Sequence, residues 1–127
     1  MTEAPLDILA GVLVLIGAVF VFAAAVGIVR MPDVYVRMHA ATKAGTLGSG
    51  LILVAVAVIA EDSGIVLRAL AAVVFLIATT PVAAHLLGRA AYLSGVPLWR
   101  GTKLDELAGR YDRKTRGLSG APRKPGR

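Results

Sequence analysis

The chain has 127 residues, 14 Lys and Arg against 8 Asp and Glu for a formal net charge of +6, 57% hydrophobic residues and no cysteine. With a mean hydropathy of +0.74 and only 17% charged residues, it is too apolar for a water-soluble domain, which carries about 25% charged residues. The missing cysteines exclude disulfide scaffolds, Cys-ligated zinc, iron–sulfur clusters and thiol catalysis, and two histidines cannot build a three-His metal site.

Three neutral stretches, residues 8–29, 44–60 and 69–88, each suffice to cross the bilayer, since a helix of about 20 apolar residues spans the hydrocarbon and a shorter one serves where a flanking Lys snorkels, as Lys43 can. The continuous runs lack the alternation of a membrane β-strand. The expected fold is therefore an all-α integral membrane protein: three transmembrane helices within residues 1–100, followed by a basic tail over 101–127. Ala23-Ala24-Ala25 resembles a cleavage site, but Glu3 and Asp7 stand where a signal peptide needs positive charge, so the first span is expected to stay as a helix.

Arg30, Arg37 and Lys43 lie between the first two spans and ten further Lys and Arg follow from Arg89, whereas Arg68 alone lies on the opposite side. The positive-inside bias then puts the N-terminus outside and the C-terminus in the cytoplasm. Tyr35, Tyr92, Trp99 and Tyr111 share that inner side, where Tyr92 and Trp99 suit an interfacial anchor.

The richest segment runs from Arg30 to Gly48. Pro32 fits the first position of a helix, with Asp33 at its positive end and Arg37 one turn on. At 100° per residue, Tyr35, His39, Thr42, Thr46 and Ser49 form a polar stripe. Ala41, Ala44, Gly45, Gly48 and Ala55 form a stripe of small residues, and Val36, Ala40, Leu47, Val54 and Val58 face away. Small residues let membrane helices approach closely, which matters because apolar side chains gain nothing by leaving lipid. Gly11, Gly17, Ala23 and Gly27 add small surface on the first helix, which favours an external partner over packing within the three helices alone.

In the third span Pro81 removes a helical hydrogen bond and clashes with the Ile77 carbonyl, at about 3 kcal/mol in an ordinary helix. Thr79 or Thr80 is expected to supply a substitute partner. His85, one turn on, is either a carbonyl-bonded brace or a proton relay, the brace being the commoner case so near the interface. Beyond Gly101, Thr102 can cap a short helix presenting Leu104, Leu107 and Tyr111. The residues from Gly117 onward read as a disordered, solvated basic tail facing anionic lipid.

None of the three spans holds an Asp or Glu. Carriers of Na⁺ or H⁺ hold their ion with a buried carboxylate, so the chain is not expected to transport cations alone. No phosphate-cradling loop, metal spacing or nucleophile–base pair is present, which speaks against an enzyme and against a bound cofactor.

Two pieces of the sequence, Pro32-Asp33-Val-Tyr35-Val-Arg37-Met-His39-Ala-Ala-Thr-Lys43-Ala-Gly45-Thr-Leu-Gly48 and Thr80-Pro81 with His85, Arg89 and Tyr92, resemble the G subunit of Mrp-type, also called Mnh or Pha, multisubunit monovalent cation/proton antiporters. Val36 stands where many relatives are expected to carry a hydroxyl. The resemblance implies a hetero-oligomer in the bacterial plasma membrane that exchanges cytoplasmic Na⁺, or a similar cation, for external protons, driven by the proton-motive force. Its small subunits serve assembly or the cation route. The positions it singles out are Asp33, Arg37, His39 and Lys43 in the second helix and Pro81 and His85 in the third; Thr79 and Thr80 join them as candidates for an ion route or subunit interface, with Gly45 and Gly48 as helix-packing residues. A holin-like homo-oligomeric pore former fits the same topology and is the alternative. An independent small drug exporter is disfavoured by the missing carboxylate.

Overall fold

A computed structural model describes residues 3–112 together with 115, 117 and 118. Three long helices account for most of it: the first Glu3–Arg30, the second Val34–Ile59 and the third Ser63–Leu93. All three are long and apolar enough to cross a membrane. They enclose the neutral stretches and run past them at the charged ends. Arg37, Lys43 and Arg68 therefore sit on helix and not in loops, because continuing the helix satisfies backbone groups that a loop in lipid would leave bare.

The helix ends follow from local chemistry. Arg30 closes the first helix with a positive charge at its negative pole, and Pro32 follows in a tight connection. Asp33, extended at φ −134° and ψ 165°, caps the second helix by accepting from the Val36 N–H at 2.8 Å. Pro32 thus precedes the cap and does not occupy the first helical position expected of it, because the carboxylate one residue later is what can take the orphan N–H. Asp62 caps the third helix in the same way, accepting from the Gly64 N–H at 2.6 Å. Gly95, at φ 78°, ends that helix. Its N–H donates to the Tyr92 carbonyl and that of Val96 to the Ala91 carbonyl, each at 3.1 Å. Such a Schellman closure needs a left-handed residue, which is the conformation glycine adopts without penalty.

The second helix carries an irregularity that the even 100° spacing did not anticipate. Ala41–Gly45 forms a π-helical turn, which takes one more residue than an α-turn and rotates everything after it relative to what precedes it. Leu47 and Val54, expected to face away, instead line a groove against the third helix. Ala40 meets Gly27 of the first helix.

The helices form a row and not a bundle. The second packs along the first and against the third, while the first and third do not approach each other. The buried apolar residues among those described are all alanines, Ala10, Ala24, Ala55 and Ala69, and no large side chain is fully buried. Phe22, Leu15 and Val29 on the first helix and Leu67, Phe75 and Ile77 on the third are all exposed. So much apolar surface is untenable in water but costs nothing against lipid tails or another subunit.

Residues 102–112 contain turns and no helix, contrary to the short helix expected from Thr102. Gly109 at φ 74° breaks the expected repeat, and Asp105 turns back to accept from the Leu107 N–H at 3.1 Å, the local bonding by which Asp competes with helix. Tyr111 pairs with Leu118 in an isolated antiparallel bridge. The disorder expected from Gly117 onward falls, apart from residues 117 and 118, outside the described residues.

Candidate functional site

The sequence-derived candidates separate into three places. The first is the interface of the first two helices, where the closest backbone approach is reciprocal between Gly17 and Gly48. A Cβ built on Gly48 falls 2.6 Å from the Gly17 carbonyl oxygen and 2.8 Å from the Val21 backbone nitrogen, and one built on Gly17 falls 2.7 Å from the Gly48 carbonyl oxygen. No side chain fits at either position, so the helices touch main chain to main chain, as small residues permit. Gly45 belongs to the same stripe but lies more loosely, its nearest neighbour being the Ala24 Cβ at 3.8 Å from an added Cβ.

The second place is the groove between the second and third helices, about 610 Å³ in volume. His39, Lys43, Thr80 and Pro81 all line it. The Thr46 hydroxyl donates to that of Thr80 at 3.2 Å, joining the segment just past the π-turn to the segment just before Pro81. The Thr42 hydroxyl donates back to the Met38 carbonyl at 2.8 Å. The substitute partner expected for the Ile77 carbonyl is not delivered by either threonine as anticipated: Thr79 donates to the Phe75 carbonyl at 2.7 Å, one turn earlier, and Thr80 is engaged by Thr46. A hydroxyl four residues along satisfies its own turn more readily than the one distorted by the proline.

The third place is the basic end of the molecule. Besides capping, the Asp33 carboxylate accepts from the Trp99 backbone N–H at 3.3 Å, and the Tyr35 hydroxyl donates to the Val96 carbonyl at 3.3 Å. The chain leaving the third helix is thereby folded back onto the start of the second. Tyr92 extends the cluster, its hydroxyl donating to the Asp105 carboxylate at 3.0 Å and its ring lying 5.7 Å from that of Tyr111. Arg37 Nε donates to the Met31 carbonyl at 2.8 Å and so braces the interhelical turn.

Asp33 and Arg37 therefore lie outside the groove that holds His39 and Lys43. Thr79 and His85 are not among the groove residues either, and His85 is exposed on the third helix. Sequence reasoning missed Gly50, which lines the groove with nothing within 4 Å of an added Cβ. It also missed the fold-back of Val96 and Trp99, for which the only local signals are the turn residues Gly95 and Pro97.

Comparison with known proteins places this geometry in context. The model of a family described as a Na⁺/H⁺ antiporter subunit matches residues 13–92. The chain is 39% identical over 113 residues to the G subunit of the Na⁺/H⁺ antiporter of Alkalihalophilus pseudofirmus, covering 87% of this chain and 95% of that protein. Among solved structures it is similar to a chain of the Mrp complex from Dietzia sp., with a TM-score of 0.77 and 27% identity over 84% of this chain and 96% of the other. A chain of the membrane-bound sulfane sulfur reductase, an archaeal respiratory membrane complex, matches with a TM-score of 0.71 and 41% identity over 78% and 92%. Nothing in these relationships supports the pore-forming alternative. The matched span takes in most of the first helix, the second with its π-turn, and the third with its Pro81 segment, and the chain belongs to the Na⁺/H⁺ antiporter subunit family as a membrane protein of the G type.

Proposed function

We propose that this chain is the small G-type component of a hetero-oligomeric plasma-membrane antiporter exchanging cytoplasmic Na⁺, or another monovalent cation, for external protons at the expense of the proton-motive force, and that its part in that work is chiefly structural. The observation that carries the reading is the open row of helices: two outer faces made of large apolar side chains, with only alanines and glycines buried among the described residues. Such a layer is completed by neighbouring helices. The N-terminus faces outward and the basic end the cytoplasm, by the distribution of Lys and Arg. In this arrangement Gly17 and Gly48 hold the first two helices together, Asp33 and Arg37 set the inner turn, and Thr80 and Pro81 shape the third helix. The absence of Asp and Glu from the neutral stretches leaves the ion-binding carboxylates to the partner subunits.

The test is reconstitution. In vesicles the chain alone should give no Na⁺-dependent proton movement, the full complex should, and the complex prepared without this chain should lose activity together with co-purifying subunits. Antiport by the lone chain overturns the reading.

A second reading has one observation behind it, the 41% identity to a chain of an archaeal respiratory membrane complex. In that case the partners include redox proteins, and visible absorption of their cofactors in the purified complex distinguishes it from a plain antiporter.

A further inference from the structure

We infer that the groove between the second and third helices is a binding site for an anionic phospholipid, one acyl chain lying in the groove and the headgroup phosphate held at its mouth by Lys43 and His39. The groove is graded along its length. His39, Thr42, Lys43, Thr46 and Thr80 line it toward the basic end, whereas Leu47, Leu51, Val54, Val73, Leu76 and Ile77 line the rest, and no acidic residue contributes. An occupant with one anionic end and one long apolar part matches that grading.

Length selects the same occupant. At 1.5 Å per residue, the stretch from Lys43 to Val54, and equally that from Val73 to Ala84, covers about 16 Å. One leaflet of a hydrocarbon core about 30 Å thick is about 15 Å deep, so the groove accommodates the acyl chain of one leaflet and stops at the midplane. Lys43 immediately precedes the neutral stretch 44–60 and so stands at the boundary between hydrocarbon and headgroups, where a lysine ammonium attracts anionic lipid.

The remaining polar groups fit this role. The Thr42 hydroxyl donates to the Met38 carbonyl and that of Thr46 to Thr80, so both are satisfied within the protein, and the donors of Lys43 and His39 serve the phosphate. Gly50 lines the groove and leaves it open, since a Cβ there would touch nothing.

The experiment uses the chain purified from membranes with whatever subunits accompany it, so its outcome does not depend on the ion transported. The preparation is reconstituted in phosphatidylcholine vesicles containing a small fraction of phosphatidylglycerol that bears a photoactivatable group in one acyl chain, or of phosphatidylcholine bearing the same group, and crosslinks are mapped by mass spectrometry. The phosphatidylglycerol probe should label residues 47–54 and 73–77 about fivefold more than the phosphatidylcholine probe, the enrichment that one lysine gives at an anionic surface. Lys43→Gln should abolish the headgroup difference and Lys43→Arg should retain it. Gly50→Leu, which fills the groove, should suppress labelling there by both probes. Equal labelling of the native protein by the two probes overturns the inference. So does absence of labelling in the groove while the outer face of the first helix is labelled, because a helix of another subunit then occupies it.

Discussion

Gly45 and Gly48 stand three residues apart on one stripe, yet the same substitution should affect them oppositely. In Gly48→Ala the new Cβ falls 2.6 Å from the Gly17 carbonyl oxygen, and ordinary contact begins at 3.4 Å, so the first two helices must part by about 0.8 Å (the difference of those distances). A radial gap of 0.5–1 Å forfeits roughly a quarter to a half of the dispersion energy at each contact. Overpacking of a tight interface costs about 1–3 kcal/mol, and in lipid no hydrophobic term offsets it. The docking equilibrium of the two helices should therefore weaken by about 5- to 140-fold. In Gly45→Ala the Cβ makes an ordinary 3.8 Å contact with Ala24, and Ala favours helix over Gly by up to about 1 kcal/mol, so the variant should be neutral or more stable. Fluorophores on the first and second helices, followed by energy transfer during titration with a denaturing detergent, measure both. Equal destabilisation by the two substitutions, or a larger effect at Gly45, refutes the packing argument.

Asp33→Ala should cost about 1 kcal/mol through the lost cap and free the Trp99 segment, whereas Asp33→Asn should keep the cap and lose only the bond to Trp99; since Trp99 is the single tryptophan, fluorescence anisotropy falling in both variants, with unfolding shifted only in the first, is the expected pattern. Thr80→Val removes the hydroxyl partner of Thr46 and should lower stability by only about 0.6 kcal/mol, the usual worth of such a bond between membrane helices; a loss above about 2 kcal/mol in the same detergent titration contradicts that reading. Pro81→Ala restores a helical hydrogen bond to Ile77 and should leave the third helix as stable or more so while reducing antiport by the complex, and normal activity with normal co-purification would show the proline to be a tolerated irregularity. A reporter fused after Arg127 should be active only in the cytoplasm and one at Ser63-Gly64 only outside; the reverse pattern defeats the proposed orientation.

What the sequence determined by itself is what depends on neighbours along the chain. Hydropathy runs count the helices, Pro32 and Asp33 place the start of the second to within two residues, and the absence of acids from the neutral stretches argues against independent cation transport. Each of these rests on backbone satisfaction or charge transfer into lipid, effects that act within a turn or two of the residue concerned. Tertiary structure alone decided which faces meet. In water a hydrophobic stripe announces which side is buried, but in lipid an apolar face is equally comfortable against tails or against helix, so composition does not distinguish a bundle from a row. The π-turn at Ala41–Gly45 then rotates the later part of the second helix, which turns Leu47 and Val54 into the groove and lets Gly48, more than Gly45, meet the main chain of the first helix. His85, Thr79 and Pro81 lie within two turns of one another in sequence, yet only Pro81 reaches the groove: Thr79 is turned about 160° away from Pro81 around the helix, and His85, within about 40° of Pro81, lies one turn further along, past Ala84 where the groove ends.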